Sequence, residues 1–380
     1  MLRRLPLLLS ALTLLAACAS SDTSGPTAPH SSASVAGGAT IVAPGSSIQA
    51  AIDAAAPGSA ILLQPGVYSE AITIDKPGIR LMGMGSGQAA ARAVVIRNPG
   101  GAEDGISVTS AGAGVEIMHL TVQGFGGNGV LLTGVNGFHL ADITTPDDGE
   151  YGLFPVFSSN GVIEGCSASG NSDTGIYVGQ SRNVTIRRNV AFGNVNGIEV
   201  ENSSFIDVAG TESYGNVDGI LVVLLPGLDV KASSNILVRN NRVHDNNLAN
   251  FSGGGLADFV PSGSGILVVG TDATTVQQNV VTGNSFVGIG VANSGLLTLL
   301  GGPPPTDIDP FPDHTRVLGN TVLGNGGAQP VPFLPPGVDL IWDGTGTDNC
   351  WSRNKFATSL DLDLLGGNPT PLLPACPPAG

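Results

Sequence analysis

Positive charge is scarce: 15 Lys and Arg stand against 30 Asp and Glu in 380 residues, a formal charge of −15. That balance repels nucleic acid and anionic membrane surfaces and leaves no basic stripe for phosphate, so DNA and RNA are excluded as partners. Aromatic residues make up 5% and charged residues 12%, so a core must come from Val, Ile, Leu and Ala within the 42% that is apolar. A chain with so much apolar content is not disordered. Cysteine is limited to four residues, with no CxxC or Cys/His spacing of a zinc site. Abundance lies elsewhere: 56 Gly and 26 Pro, about 22% of the chain, exclude a mainly helical protein.

Met1-Leu2-Arg3-Arg4 precedes an apolar stretch over 5–17 that is too short to cross a bilayer and has the form of an export signal. It ends Leu15-Ala16-Ala17-Cys18, which resembles a bacterial lipobox with Cys18 as the lipidated mature N-terminus. An ordinary signal peptide cut nearby is the other reading. Residues 18–38 are rich in Ser, Thr, Ala, Gly and Pro and predict a flexible tether, leaving 39–380 as the folded domain. Ala19 and Ser20 give no inner-membrane retention signal, so the outer membrane of a bacterial envelope is the expected address. Loss of Arg3 and Arg4 takes the formal charge from −15 to −17. In an oxidising compartment Cys350 and Cys376 predict a disulfide that pins the C-terminal end, and Cys166 is left as a buried, inert thiol.

The folded part repeats. Residues 160–181 and 182–203 superpose on the pattern Gly170-Asn171…Gly175-Ile176-Tyr177-Val178 and Gly193-Asn194…Gly197-Ile198-Glu199-Val200. The pattern returns as Gly215-Asn216…Gly219-Ile220-Leu221-Val222 and Gly283-Asn284…Gly288-Ile289-Gly290-Val291, with further copies in 235–268 and 315–342 and looser ones in 115–156. Each unit is a set of short alternating β segments between Gly-Asn corners, too small to bury its own face, so stacking must do it.

On these residues the chain resembles right-handed parallel β-helix proteins of the pectin-lyase-like class. Gln64-Pro65-Gly66-Val67-Tyr68-Ser69-Glu70 and Ile79-Arg80-Leu81-Met82-Gly83 are similar to the entrance of many of them. The implied fold is all-β, a single-stranded solenoid. Ser46 or Ser47 is expected to cap a short N-terminal helix whose Ile48, Ala51, Ile52 and Ala55 cover the first coil, ending at Gly58. Tyr151-Gly152-Leu153-Phe154-Pro155-Val156, Asp173-Thr174-Gly175-Ile176-Tyr177-Val178-Gly179-Gln180-Ser181 and Asp348-Asn349-Cys350-Trp351 narrow the resemblance to an exported bacterial β-helix lipoprotein family of undetermined function, whose members commonly occur beside a second exported protein.

Asn189, Asn241, Asn279 and Asn320 fall in one column, and Asn171, Asn194, Asn216, Asn246, Asn284 and Asn325 in another, which predicts hydrogen-bonded amide ladders rather than ligands. In the Gly-Ile-x-Val strand, Ile and Val point inward, and x and the residue two later point outward. Up the stack x reads Leu131, Phe154, Tyr177, Glu199, Leu221, Leu267 and Gly290. Polar chemistry is therefore confined to the middle rungs, where Glu201 joins Glu199 about 6.5–7 Å away along one strand. Two carboxylates so placed suit an acid and a base across a water, as in an inverting glycosidase. One carboxylate beside Tyr177 suits proton transfer on a uronic sugar, with calcium as an option. A solvated acidic face is the plain alternative.

Asp173 and Asp218 begin the adjacent strands and, with Phe154 and Gln180, are the expected substrate-binding residues around the catalytic candidates Glu199, Glu201 and Tyr177. Insertions at 224–233, 247–263, 294–314 and 326–337 abut the same strand and would wall a groove beside them. Asp307, Asp309 and Asp313 form an acidic loop that is a candidate calcium site. Asp147-Asp148 resembles a glycosidase acid pair, but the Gly-His-Gly and Arg-Ile-Lys of polygalacturonases are missing, as is the epimerase Asp-Pro-His-Asp. Two functions follow: a groove that binds or cleaves acidic polysaccharide, by lyase or glycoside hydrolase chemistry, or a non-catalytic envelope scaffold that docks another exported protein through its apolar C-terminal loops.

Overall fold

The computed structural model describes residues 39–330, 336–361 and 373–377. The expected leader, the tether and lipidated Cys18 lie outside the described residues. Within them the chain winds as a right-handed parallel β-helix whose rungs visit three sheets in turn, of twelve, ten and eleven strands. All strand pairing is parallel. In the eleven-stranded sheet each step up the stack advances the chain by one repeat: Thr174 pairs with Asn196 and Asn196 with Asp218.

The interior is a stack of small aliphatic side chains. Ile176, Ile198, Ile220 and Ile266 are fully buried, one above another, as the inward half of the alternating pattern requires. No rung buries its own face; the next rung does it.

Helix Ile48–Ala54 closes the N-terminal end, with Ile48 and Ile52 fully buried over the first coil and Ala51 and Ala55 packed beside them. The Ser47 side chain accepts the Ala50 N–H at 3.1 Å, satisfying one of the orphan donors of the first turn. The helix stops at Ala54, earlier than Gly58, because Ala55 is already extended. At the other end Cys350 and Cys376 are disulfide-bonded. A second short helix, Gly87–Ala93, interrupts an early rung without a signal in the repeat pattern.

Corner amides form the ladders. Asn171, Asn194, Asn216, Asn246 and Asn284 each donate their side-chain N–H to the Oδ1 of the next rung, at 2.7–3.1 Å, and also receive a backbone N–H from the rung below. The run ends on Asp339, whose carboxylate only accepts: from the Asn325 amide and from the backbone N–H of Ala357 and Thr358. These donors hold Asp339 below the usual carboxylate range, although its burial opposes them. Cys166 heads the other column, its N–H on Asn189 Oδ1 at 2.9 Å, and burial pushes its thiol up to about 12. A third corner carries a serine ladder through Ser158, Ser181, Ser203 and Ser233.

Candidate functional site

Along the outward face of the eleven-stranded sheet, Phe154, Tyr177, Glu199, Leu221, Leu267, Gly290 and Ile341 fall in register, with Val156, Gly179, Glu201, Val223, Val269 and Ala292 two residues on. Glu199 points away from the coil interior, yet it is only 6% exposed, because the insertions fold back over this face. Between sheet and insertions lies a cleft of about 570 Å³. One end holds Tyr151, Asp173, Asn196, Glu199 and Glu201. The other is aliphatic, with Leu221 and Leu267 on its floor, Leu225 from the 224–233 insertion and Leu297 and Leu300 from the 294–314 insertion. Leu224 and Leu225 are buried, so these loop leucines serve the cleft rather than an outer edge.

The acidic end is wired by hydrogen bonds. The Thr174 hydroxyl lies 2.6 Å from Glu199 Oε2 and 3.0 Å from Asp173 Oδ1, and Asn196 Nδ2 reaches Glu199 Oε2 at 3.1 Å. One hydroxyl hydrogen cannot serve two carboxylates. Thr174 therefore links the two carboxyls through a proton carried by Glu199 or Asp173, while Asn196 Oδ1 stays without a partner. Burial agrees: it raises Glu199 well above the ordinary carboxyl range, reinforced by the negative charges of Asp173 and Glu201. Burial likewise raises Asp173, against hydrogen bonds from Tyr151 and Thr174. Tyr151 donates to Asp173 Oδ2 at 2.8 Å. Glu199 Oε1 has no partner among the described residues and is left for whatever occupies the cleft.

Glu201 differs. Its Oε1 receives the Tyr177 phenol at 2.5 Å, which opposes the effect of burial, and the outcome is a carboxyl pushed up to about 7. Burial and the neighbouring carboxylates keep both phenols, Tyr151 and Tyr177, protonated well above the usual range. Burial thus raises both carboxyls, and only Glu201 has a phenol drawing it back toward the ionised form.

Several expected site residues sit elsewhere. Tyr177 is 4% exposed and lies beneath the surface against Phe154, ring centroids 4.5 Å apart, so it orients Glu201 instead of carrying a sugar. Phe154 stacks on Tyr151 at 4.2 Å and supports it. The aromatic that lines the acidic end of the cleft is Tyr151, while Phe259 and Phe286 line it elsewhere. Asp218 is fully buried at the corner beneath Asn196, off the cleft, and neither carboxyl oxygen has a hydrogen-bond partner. Gln180 turns away to brace the 224–233 insertion, accepting the N–H of Asp229 and Val230.

The candidate calcium loop does not gather either. Asp307 is taken by Lys231 and the Gly227 N–H, Asp309 accepts from Phe311 N, and Asp313 accepts from Thr347. Among the described residues no group of three or more His, Cys, Asp or Glu could hold a metal ion. Asp148, of the Asp147-Asp148 pair, replaces an amide in the ladder, and burial pushes it up to about 8. Tyr151, Thr174 and Asn196 were missed because attention to the x column passes over the first residue of each strand, three positions earlier, where the corner aims a side chain back over the face.

The sequence profile described as right handed beta helix region matches residues 78–226 and 223–301, more than half of the chain, and the chain belongs to that family. The A-module of Azotobacter vinelandii mannuronan C-5 epimerase AlgE6 is similar in structure, with a TM-score of 0.62 at 20% identity over 88% of this chain and 95% of that one. The A-module of the AlgE4 epimerase from the same organism gives 0.53 at 17% identity, over 83% and 94%. At these identities the likeness is one of fold. No curated protein matches the sequence.

Proposed function

We propose that the cleft binds and hydrolyses a neutral carbohydrate, with Glu199 as acid and Glu201 as base. The neighbours of like fold are named for an acidic carbohydrate, mannuronan, which supports a carbohydrate here and leaves its charge to the lining. The observation that carries the reading is the pairing, at one end of a covered cleft, of two outward carboxyls held by different partners, Glu199 by Thr174 and Asn196 and Glu201 by the Tyr177 phenol. Glu199, its proton on the unpartnered Oε1 while Oε2 accepts from Asn196 and Thr174, gives that proton to the glycosidic oxygen as the bond to the anomeric carbon breaks. Glu201, ionised, takes a proton from the water whose oxygen forms the new bond at that carbon.

The acidic polysaccharide expected from the sequence gives way to a neutral one on electrostatic grounds. Among the described residues no Lys, Arg or His lines the cleft, whereas Glu150, Asp173, Glu199, Glu201 and Asp343 do. A uronate chain would find no cation in this lining to pair its carboxylates and would meet the ionised Glu201 with a like charge. The exported, lipid-anchored address expected from Cys18 belongs to the same proposal; a Cys18→Ser protein that still takes up labelled palmitate would remove it.

The test is hydrolysis of a panel of neutral and acidic glycans by the full chain, with reducing ends as the readout. Cleavage of neutral glycans that is lost in Glu199→Gln and Glu201→Gln supports the reading. Cleavage confined to uronate polymers, or unaffected by both substitutions, overturns it. The docking alternative predicts no cleavage of any glycan.

A further inference from the structure

The acidic end occupies only part of the cleft. Beyond Glu199 the floor column continues Leu221, Leu267, Gly290, Ile341, and beyond Glu201 it continues Val223, Val269, Ala292. At about 4.8 Å per strand, the reach from Glu199 to Gly290 is about 14 Å. Asp343 follows Ala292 at the far end, buried and taken up by Asn293 and Thr345; short of it the floor carries no polar side chain. The walls match it: Leu221, Val223 and Leu225 form one apolar cluster with Leu256, Val260, Leu267, Val269 and Leu297, and Phe286 joins Leu267, Leu300 and Ile341 in another. Gly290 adds no side chain to the trench, and Leu267 leans close over it: a Cβ there would meet Leu267 Cδ2 at 3.0 Å.

An unmodified sugar chain fits this half badly, because its hydroxyls would be stripped of water and find no partner. A free fatty acid or a phosphate-headed lipid fits the other half badly, because its anionic head would meet Glu199, Glu201 and Asp173 with no cation in the lining. What suits both halves is one molecule with a neutral polyhydroxyl head and an aliphatic tail. We propose that the cleft takes a neutral glycoside carrying an alkyl or acyl chain, with the sugar between Tyr151 and the Glu199–Glu201 pair and the chain laid over Leu221 and Leu267 toward Gly290. A trench of about 14 Å takes about ten to twelve carbons of extended chain. The assignment rests on the carbohydrate reading above for its head group and adds the tail.

Titration calorimetry with n-alkyl glycosides of increasing length, each below its micelle concentration, measures both parts. The tail predicts affinity rising with every methylene, up to about fourfold for each, and levelling near ten to twelve carbons. Gly290→Leu, which fills the trench, flattens that slope, and Leu297→Asp on the opposite wall does the same should Gly290→Leu fail to fold. Equal affinity for methyl and decyl glycosides overturns the tail while leaving hydrolysis by the carboxyl pair standing. Linear alcohols of the same lengths binding as tightly as the glycosides overturn the sugar head and, with it, the reading of the acidic end. A slope that both trench substitutions leave unchanged places the chain elsewhere and overturns the assignment.

Discussion

Tyr177 donates its phenol hydrogen to Glu201 Oε1 at 2.5 Å by lying across Gly179, the residue that pairs with Glu201 on the neighbouring strand. A Cβ at position 179 would stand 1.8 Å from the phenol oxygen. The glycine is therefore what lets the ring lie flat along the face and reach the carboxyl.

Removing that phenol tests its role. Tyr177→Phe takes away a donor that favours the ionised form, so the Glu201 pKa rises above about 7. A hydrogen bond to a charged group is worth about 1.5–3 kcal/mol, so the acid limb of the hydrolysis profile moves alkaline by about one to two pH units. The variant recovers activity at higher pH, where a merely structural loss would not. A pH–rate profile checks this; an unshifted acid limb contradicts it.

Asp218 gives a stability prediction. It is fully buried with no side-chain partner, and burial raises it well above its ordinary value near 3.8, against the nearby backbone N–H of Gly219. The folded chain must keep it protonated, while the unfolded chain releases its proton above pH 4. Its effect is thus absent below the unfolded value and increasingly destabilising as pH rises toward the folded one. Asp218→Asn, which keeps the shape without the proton, gains at least about 1 kcal/mol at pH 8 and changes little at pH 3.5. Urea unfolding at the two pH values reads the difference; an equal effect at both contradicts a buried neutral acid.

The ladder is structural. Asn216 accepts the N–H and the side-chain amide of Asn194 and donates to Asn246. Asn216→Ala orphans these groups in a dry corner and costs about 2–4 kcal/mol, with no change in which glycoside is bound. Denaturant melts of the variant measure the cost, and a loss under 1 kcal/mol contradicts it.

Buried Cys166 should resist alkylation in the folded chain and react once it is unfolded, because burial pushes its thiol up to about 12. Labelling with iodoacetamide with and without urea, followed by mass measurement, tells the two states apart. Rapid labelling in the native state would contradict the inward placement.

The coil was legible in the sequence because each rung repeats the inward pair Ile-x-Val and the corner Asn, and a one-residue slip would put every aliphatic side chain in water. The outward position of Glu199 and Glu201 followed from the same period. What the period does not carry is how far an outward side chain is covered, since that depends on loops outside the repeat: the insertions bury Glu199, and Tyr177 sinks against Phe154. Corner residues were the weakest point. Asp218 looked like a residue at a cleft edge because strand direction was known but the turn of the corner was not, and Asp307 looked like a ligand until Lys231, 76 residues away in the sequence, met it.

The pairing of Glu199 and Glu201 as acid and base stands or falls on one measurement: the pH dependence of neutral glycoside hydrolysis by the full chain beside Glu201→Gln. The wild-type rate should climb through about pH 7, as Glu201 loses its proton, and Glu201→Gln should lose at least about a hundredfold while still binding the glycoside. Equal rates for the two proteins, or a wild type that hydrolyses no neutral glycoside at any pH, would contradict the account.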